Sequence, residues 1–454
     1  MTDLEQSTVA PRQTSLTRAA ALVAAASAFA VTAGLLTGPI IARALAPEGR
    51  GALAAIVAPL GLIGLVAQFS ASEFVSQHTA RGRSTATTIG TVAPVMFAAA
   101  VVLAVACWPF AAVIADGNAD VERYVELGLI ALPFGLLVPV VTGIAIGQGR
   151  WTRAALASAI PPWAYAVVIV TLVSLGELTV GTAALATIGV TFAGGLAYVG
   201  LRPPPVRRLH FDRLLARAYV SYASRTTPGL IATLANVRLD QILMFGIVGP
   251  RELGLYVVAV TVAGISTVVV TPLASVTVPA VAVGEHSLIG RATRMSLAAA
   301  AVAVTAVALA SYPMLRVLFG SEFTEAEPML LILLAAQIPT VGTASLGYGL
   351  RTVGRPGLAS AADFLALIIT VPMLLLLLPV LGGEGAALTS LAAYSVTFAA
   401  LCLLTSREIA VPVRELVVVR KEDLSMVRAR AVDLMRARTS RWFAARRTSG
   451  GPDA

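Results

Sequence analysis

Charge is scarce in this sequence. Of its 454 residues only 13% are charged, while 57% are hydrophobic. A soluble protein carries roughly twice that charged fraction. The excess of apolar surface needs a second solvent, and the bilayer supplies it.

Cysteine is nearly absent. Cys107 and Cys402 each sit in an apolar segment, which excludes a disulfide framework and a thiolate metal centre. The three histidines, His78, His210 and His286, fall in or near loops, so no zinc site is expected. There is one lysine, Lys421, among 33 basic residues. The formal charge of +9 lies on no stripe of a soluble fold, so nucleic acid is not the expected partner. Nor is there a phosphate-binding loop, a nucleophile constellation or a pair of carboxylates on a sizeable outer segment. Neither an enzyme nor a bound cofactor is expected.

What the sequence does hold is long apolar runs. Spans need about 20 apolar residues each, and the chain divides into twelve: 18–45, 51–78, 86–115, 121–147, 154–175 and 180–201, then 216–248, 252–283, 291–319, 326–350, 356–381 and 384–406. The runs are too long for strands and do not alternate. The apolar stretch from Arg18 to Ala46 exceeds a signal-peptide core, which runs about 7–15 residues, and is read as a retained first helix. The expected fold is all-α and polytopic, with 12 transmembrane helices in two six-helix lobes.

Loop charges support this division. Loops after even-numbered helices carry Arg81, Arg83, Arg150, Arg153, Arg202, Arg207, Arg208, Arg213, Arg217, Arg291, Arg294, Arg351 and Arg355, against Asp212 and Glu285. Loops after odd-numbered helices and their edges carry five arginines, Arg43, Arg50, Arg123, Arg251 and Arg316, against 11 acids that include Glu48, Asp116, Asp120, Glu177, Glu252, Glu322, Glu325, Glu327 and Glu384. The positive-inside rule then places both termini in the cytoplasm of a bacterial inner membrane.

The two halves also echo each other. Pro47-Glu48-Gly49-Arg50-Gly51 has its counterpart in Pro250-Arg251-Glu252-Leu253-Gly254, and Gly149-Arg150 in Gly354-Arg355. Leu156-Ala157-Ser158-Ala159 likewise returns as Leu358-Ala359-Ser360-Ala361. Nearly one offset serves all three. The predicted units are residues 1–17 as a cytoplasmic segment, 18–201 as the N-lobe, 202–215 as a linker, 216–406 as the C-lobe, and 407–454 as a basic tail. Parallel repeats leave a seam at the bilayer midplane, where transporters place substrate.

Several stretches carry a resemblance. They are Ile41 through Gly51, Asp240-Gln241-Ile242-Leu243 through Gly254-Leu255-Tyr256, Leu318-Phe319-Gly320, Gly354-Arg355-Pro356, and Gly382-Gly383-Glu384-Gly385-Ala386-Ala387. In this order the chain resembles the polysaccharide flippase family of the multidrug/oligosaccharidyl-lipid/polysaccharide exporter superfamily. Ala46 stands where that family usually has Gly. The resemblance implies a MATE-like fold, with a central cavity opening alternately to either side. It implies a polyprenyl-diphosphate-linked oligosaccharide as cargo, moved from the cytoplasmic to the outer leaflet. The alternatives are a cation-coupled small-molecule exporter of the same superfamily and a lipid II flippase. The two extra helices usual in the latter are not found.

Intramembrane charge is a functional signal by default. Arg225 precedes Pro228-Gly229 in the seventh helix, and a guanidinium suits a diphosphate. Arg18, at the inner mouth of helix 1, is its expected companion. Pairing of Arg225 with Glu73 or Asp363 is the structural alternative. Arg238 and Asp240 lie near the outer end of helix 7 and, two residues apart, point to opposite sides. Asn236 and Gln241 are candidates for sugar hydroxyls or for joining helices. Glu73, Asp240 and Asp363 are the candidate coupling or cavity acids. The tail repeats apolar residues at Leu424, Val427, Ala431, Leu434 and Trp442, a pattern for an amphipathic helix on anionic inner-leaflet lipids. A polysaccharide polymerase or glycosyltransferases are candidate protein partners.

Overall fold

The computed structural model describes residues 13–199, 209–266, 287–352, 355–408 and 411–418, and the regular structure among them is helical. The N-terminal half holds α1 (Gln13–Ala67), α2 (Ala71–Ala80), α3 (Thr85–Ala115), α4 (Ala119–Gly135), α5 (Leu137–Gly147), α6 (Trp151–Ser174) and α7 (Val180–Val190). A 3₁₀ turn, Ala193–Tyr198, follows. The C-terminal half holds α8 (Arg213–Val248), α9 (Pro250–Ala263), α10 (Ser287–Leu309), α11 (Ser311–Met314), α12 (Glu327–Thr352), α13 (Pro356–Glu408) and α14 (Val413–Val417).

Two of these helices are folded on themselves. Straight, the 55 residues of α1 would run about 80 Å, against roughly 30 Å of hydrocarbon. The break is at Ala46, with φ 57° and ψ 177°. A left-handed alanine is strained by about 1–2 kcal/mol, at the place where the resembled family usually has Gly. In α13 the break is at Gly382, φ 55° and ψ −138°, where the residue itself relieves the strain. Both breaks fall at boundaries expected from the sequence, 45–51 and 381–384.

Other expected spans are interrupted. The second is cut at Phe69 and Ser70, both at positive φ. The fourth breaks at Leu136 into α4 and α5, between Pro133 and Pro139. The sixth ends as the 3₁₀ turn at Gly194-Gly195. Helix starts follow local chemistry: Asn118 accepts from the Val121 amide at 3.1 Å, and Asp212 from those of Leu214 and Leu215 at 2.8 and 3.2 Å. Such caps satisfy amides that have no partner within the helix.

Among the described residues eight helical stretches are long and apolar enough to cross a membrane. The folded α1 lies mostly in one of them and the folded α13 in another. The sequence leads one to expect twelve single spans. Part of the eighth expected span and most of the tail lie outside the described residues, as does half of the linker.

The main core runs through both halves. Ile41, Leu53, Ile56 and Leu129 share it with Met244, Leu253, Tyr256, Leu315, Leu330 and Leu378. A second core gathers Phe74, Val75, Met96, Leu136 and Val140 around Tyr219 and Ala223 of α8. Thus α8 begins packed on the N-terminal half and ends packed on α9 and α13.

At the expected outer end the two matched motifs meet. A Cβ on Gly51 would fall 2.6 Å from the Pro250 carbonyl carbon, and one on Gly254 would fall 2.8 Å from that of Pro47. The contact is reciprocal, as a two-fold relation between residues 47–51 and 250–254 would make it. Only glycine lets two backbones approach so closely. Around the crossing, Arg43 donates to the Val317 carbonyl. Arg251 reaches Glu48 at 3.5 Å and pairs with Glu325 at 2.8 Å. The hydrogen bond with Glu325 is the chief cause that raises the Arg251 pKa above its ordinary value. Glu252 accepts from the Gly383 amide at 3.0 Å, tying α9 to the break in α13.

Candidate functional site

Directly inward of that crossing lies a cavity of about 780 Å³. Residues 31–41 and 50–57 from the two legs of α1 line it, with parts of α6, α7, α8 and α9. It therefore sits between N-terminal and C-terminal elements. Its walls are largely apolar, and its threonines are occupied: Thr37 donates to the Ala33 carbonyl at 3.0 Å and Thr261 to that of Val257 at 2.7 Å.

Two arginines give the cavity its charge. Arg50 lines it from the second leg of α1, and Arg238 lines it from α8. The Nε of Arg50 is buried without a hydrogen-bond partner. Arg238 donates through Nη1 to Gln241 Oε1 at 3.0 Å, and it lies within electrostatic reach of Arg50. No Asp or Glu is among the lining residues. Two cations converging in a space with low-dielectric walls set a positive potential there, and each fork keeps donors for a bidentate anion.

The other residues singled out from the sequence fall elsewhere. Asn236 is turned to α13: its Nδ2 donates to the Asp363 carbonyl at 2.9 Å, and its Oδ1 accepts from Thr370 at 3.3 Å. Its own carbonyl accepts from Tyr394 at 3.2 Å. Asp240 is buried behind the lining. Its Oδ2 accepts from the Tyr256 hydroxyl, and its Oδ1 from the Gln241 amide at 2.7 Å, so it joins α8 to α9. Arg225 is exposed on α8, beside Thr226, whose hydroxyl meets that of Ser70 at 3.0 Å. Glu73 is exposed in the first turn of α2. Arg225, Glu73 and Asp363 are not among the cavity's lining residues. Arg18 lies within α1.

Arg50 is the residue that the sequence reading passed over. It was counted with the loop charges after helix 1. One signal was there: it is an arginine on the side of the topology that charge bias leaves acidic, and its repeat counterpart is Leu253.

Solved structures share the fold. The chain is similar to an inward-facing multidrug resistance MATE family transporter of the MOP superfamily, at 14% identity over 84% of this chain and 94% of that one, with TM-score 0.68. It is similar to lipid II flippase MurJ in an inward closed conformation, at 11% identity over 87% and 90%, TM-score 0.71. An outward-facing MATE transporter matches at 15% identity over 87% and 95%, TM-score 0.59. No curated protein sequence matches the chain. At these identities the likeness defines the fold, which is the MATE-like, all-α polytopic fold. Residues 40–328 match the family described as "Polysaccharide biosynthesis protein", and the chain belongs to that family.

Proposed function

We propose that this protein moves a polyprenyl-diphosphate-linked oligosaccharide from the cytoplasmic to the outer leaflet, by alternating access of two lobes. The observation that carries the reading is the pair Arg50 and Arg238 in a cavity without acidic residues. A diphosphate accepts bidentate hydrogen bonds from guanidinium forks, and the orphaned Nε of Arg50 has a donor to spare. A cationic drug would meet like charge there, which weighs against export of cationic dyes. The reciprocal crossing at Gly51 and Gly254 supports an inward-facing state, in which the outer ends are closed and the cavity awaits cargo from the cytoplasm.

In this reading Arg18 and Arg225 serve as entry cations nearer the cytoplasm. Asp240 and Asn236 hold α8 to its neighbours, and twelve spans place both termini inside. The basic tail adds contact with anionic inner-leaflet lipids. Lipid II, named for one of the similar structures, is the second candidate cargo.

The test is reconstitution in vesicles with a fluorescent polyprenyl-diphosphate oligosaccharide. Protein-dependent appearance of label in the opposite leaflet is expected, with lipid II assayed alongside. Export of a cationic dye against a sodium or proton gradient, with no movement of either glycolipid, would overturn the reading.

A further inference from the structure

A second space opens within the N-terminal half. It has about 350 Å³ and is walled by the second leg of α1, α4, α5 and α7. Glycine makes the room: Gly61, Gly64, Gly128 and Gly135 all face it. A Cβ at Gly61 would meet nothing within 4 Å. Leu65, at its edge, is exposed.

This space adjoins the arginine cavity, since Val57, Thr187 and Thr191 line both. The threonines at the junction present no free donor. Thr187 donates to the Ala183 carbonyl at 2.9 Å and interacts with the Tyr165 hydroxyl; Thr191 donates to the Ile188 carbonyl. One of the two adjoining spaces is therefore cationic, and the other is walled mostly by apolar side chains and glycine, with Gln68 the one polar side chain besides the threonines. That polarity matches a ligand with an anionic head and an apolar chain.

We propose that the glycine-lined space seats the head-proximal part of the cargo's isoprenoid tail while the diphosphate lies between Arg50 and Arg238. This rests on the flippase reading and adds a tail subsite to it. The tail then leaves through the N-terminal half, between the second leg of α1 and α4–α5, instead of lying wholly in the surrounding lipid.

The test compares the purified full chain with Gly61→Leu, which enters the space from a position where a Cβ meets nothing within 4 Å. Leu65→Trp at the edge is a second variant. Gly189→Leu is the control, because a Cβ there also meets nothing and Gly189 lines neither space. Binding of a long-chain polyprenyl diphosphate and of inorganic pyrophosphate is measured for each. Gly61→Leu is expected to weaken the long-chain ligand by at least about tenfold, the loss of roughly two methylenes of apolar burial. Pyrophosphate binding should stay at the wild-type value, which also reports an intact fold. Gly189→Leu should change neither. Wild-type affinity of Gly61→Leu for the long-chain ligand overturns the inference and leaves the flippase reading standing. So does loss of a co-purified phospholipid from Gly61→Leu, seen by native mass spectrometry, with long-chain affinity unchanged. A wild-type protein that binds neither ligand overturns the flippase reading and the tail site with it.

Discussion

A single methyl group at the crossing of residues 47–51 and 250–254 should pry it open. In Gly51→Ala the new Cβ lies 2.6 Å from the Pro250 carbonyl carbon, closer still to its oxygen, and 3.0 Å from the Gly254 amide nitrogen. All three are backbone atoms, so no rotamer change gives relief. A carbon–oxygen contact needs about 3.3 Å, and the two segments must part by more than an ångström. Overpacking of this kind costs about 1–3 kcal/mol. Converted to an equilibrium, that is roughly 5- to 150-fold against the closed outer end. Away from the crossing, Gly→Ala in a helix is stabilising by about 0.5–1 kcal/mol, so helix propensity works in the opposite direction. The assay is a spin-label distance measurement between Asp120 and Glu322, both exposed, with Cys107 and Cys402 replaced by alanine. Gly51→Ala should move population towards longer outer distances, and Gly254→Ala should do the same. A distance distribution identical to that of the parent would refute the role assigned to this crossing.

Other substitutions separate anchors from ornament. Tyr256→Phe removes the donor to buried Asp240 Oδ2 and should lower stability by about 1–3 kcal/mol, read as a lower thermal midpoint in detergent; an unchanged midpoint counts against the anchor. Glu252→Ala frees the Gly383 amide at the α13 break and should cost about 1 kcal/mol by the same measurement. Arg251→Ala should shift that midpoint little, because its partners Glu48 and Glu325 are more than half exposed and water and salt screen such pairs.

Much of the fold was legible because the bilayer constrains it so strongly. Apolar runs of span length, with glycine and proline at their ends, marked an all-helical chain and the reversals now seen at Ala46 and Gly382. The matched motifs at residues 47–51 and 250–254 were readable as a repeat. That they touch was not, because contact between residues 203 apart is set by how the two halves pack. Internal breaks escaped for a related reason. Phe69 and Ser70 carry no glycine or proline to announce a left-handed pair, and the bend there is held by tertiary contacts such as Ser70 with Thr226. At the site, Arg238 was found by its cost inside the membrane. Arg50 was not, because the turn at Ala46 is a one-residue reversal. Helical register resumes at once, and a residue that reads as loop becomes part of the cavity wall. Asn236 shows the converse. Its amide fits a sugar hydroxyl as well as a neighbouring helix, and in the structure it bonds Asp363 and Thr370 of α13.

In the proposed flippase one anionic ligand bridges Arg50 and Arg238. A double-mutant cycle on long-chain polyprenyl diphosphate binding tests it directly, using Arg50→Gln, Arg238→Gln and the pair. Each single change should weaken binding about 10- to 100-fold, as expected for a hydrogen bond to a charged group. The pair should lose less than the sum, with a coupling of at least about 1 kcal/mol. Strictly additive losses would mean the two arginines do not share a ligand, and wild-type affinity in the double variant would contradict the account outright.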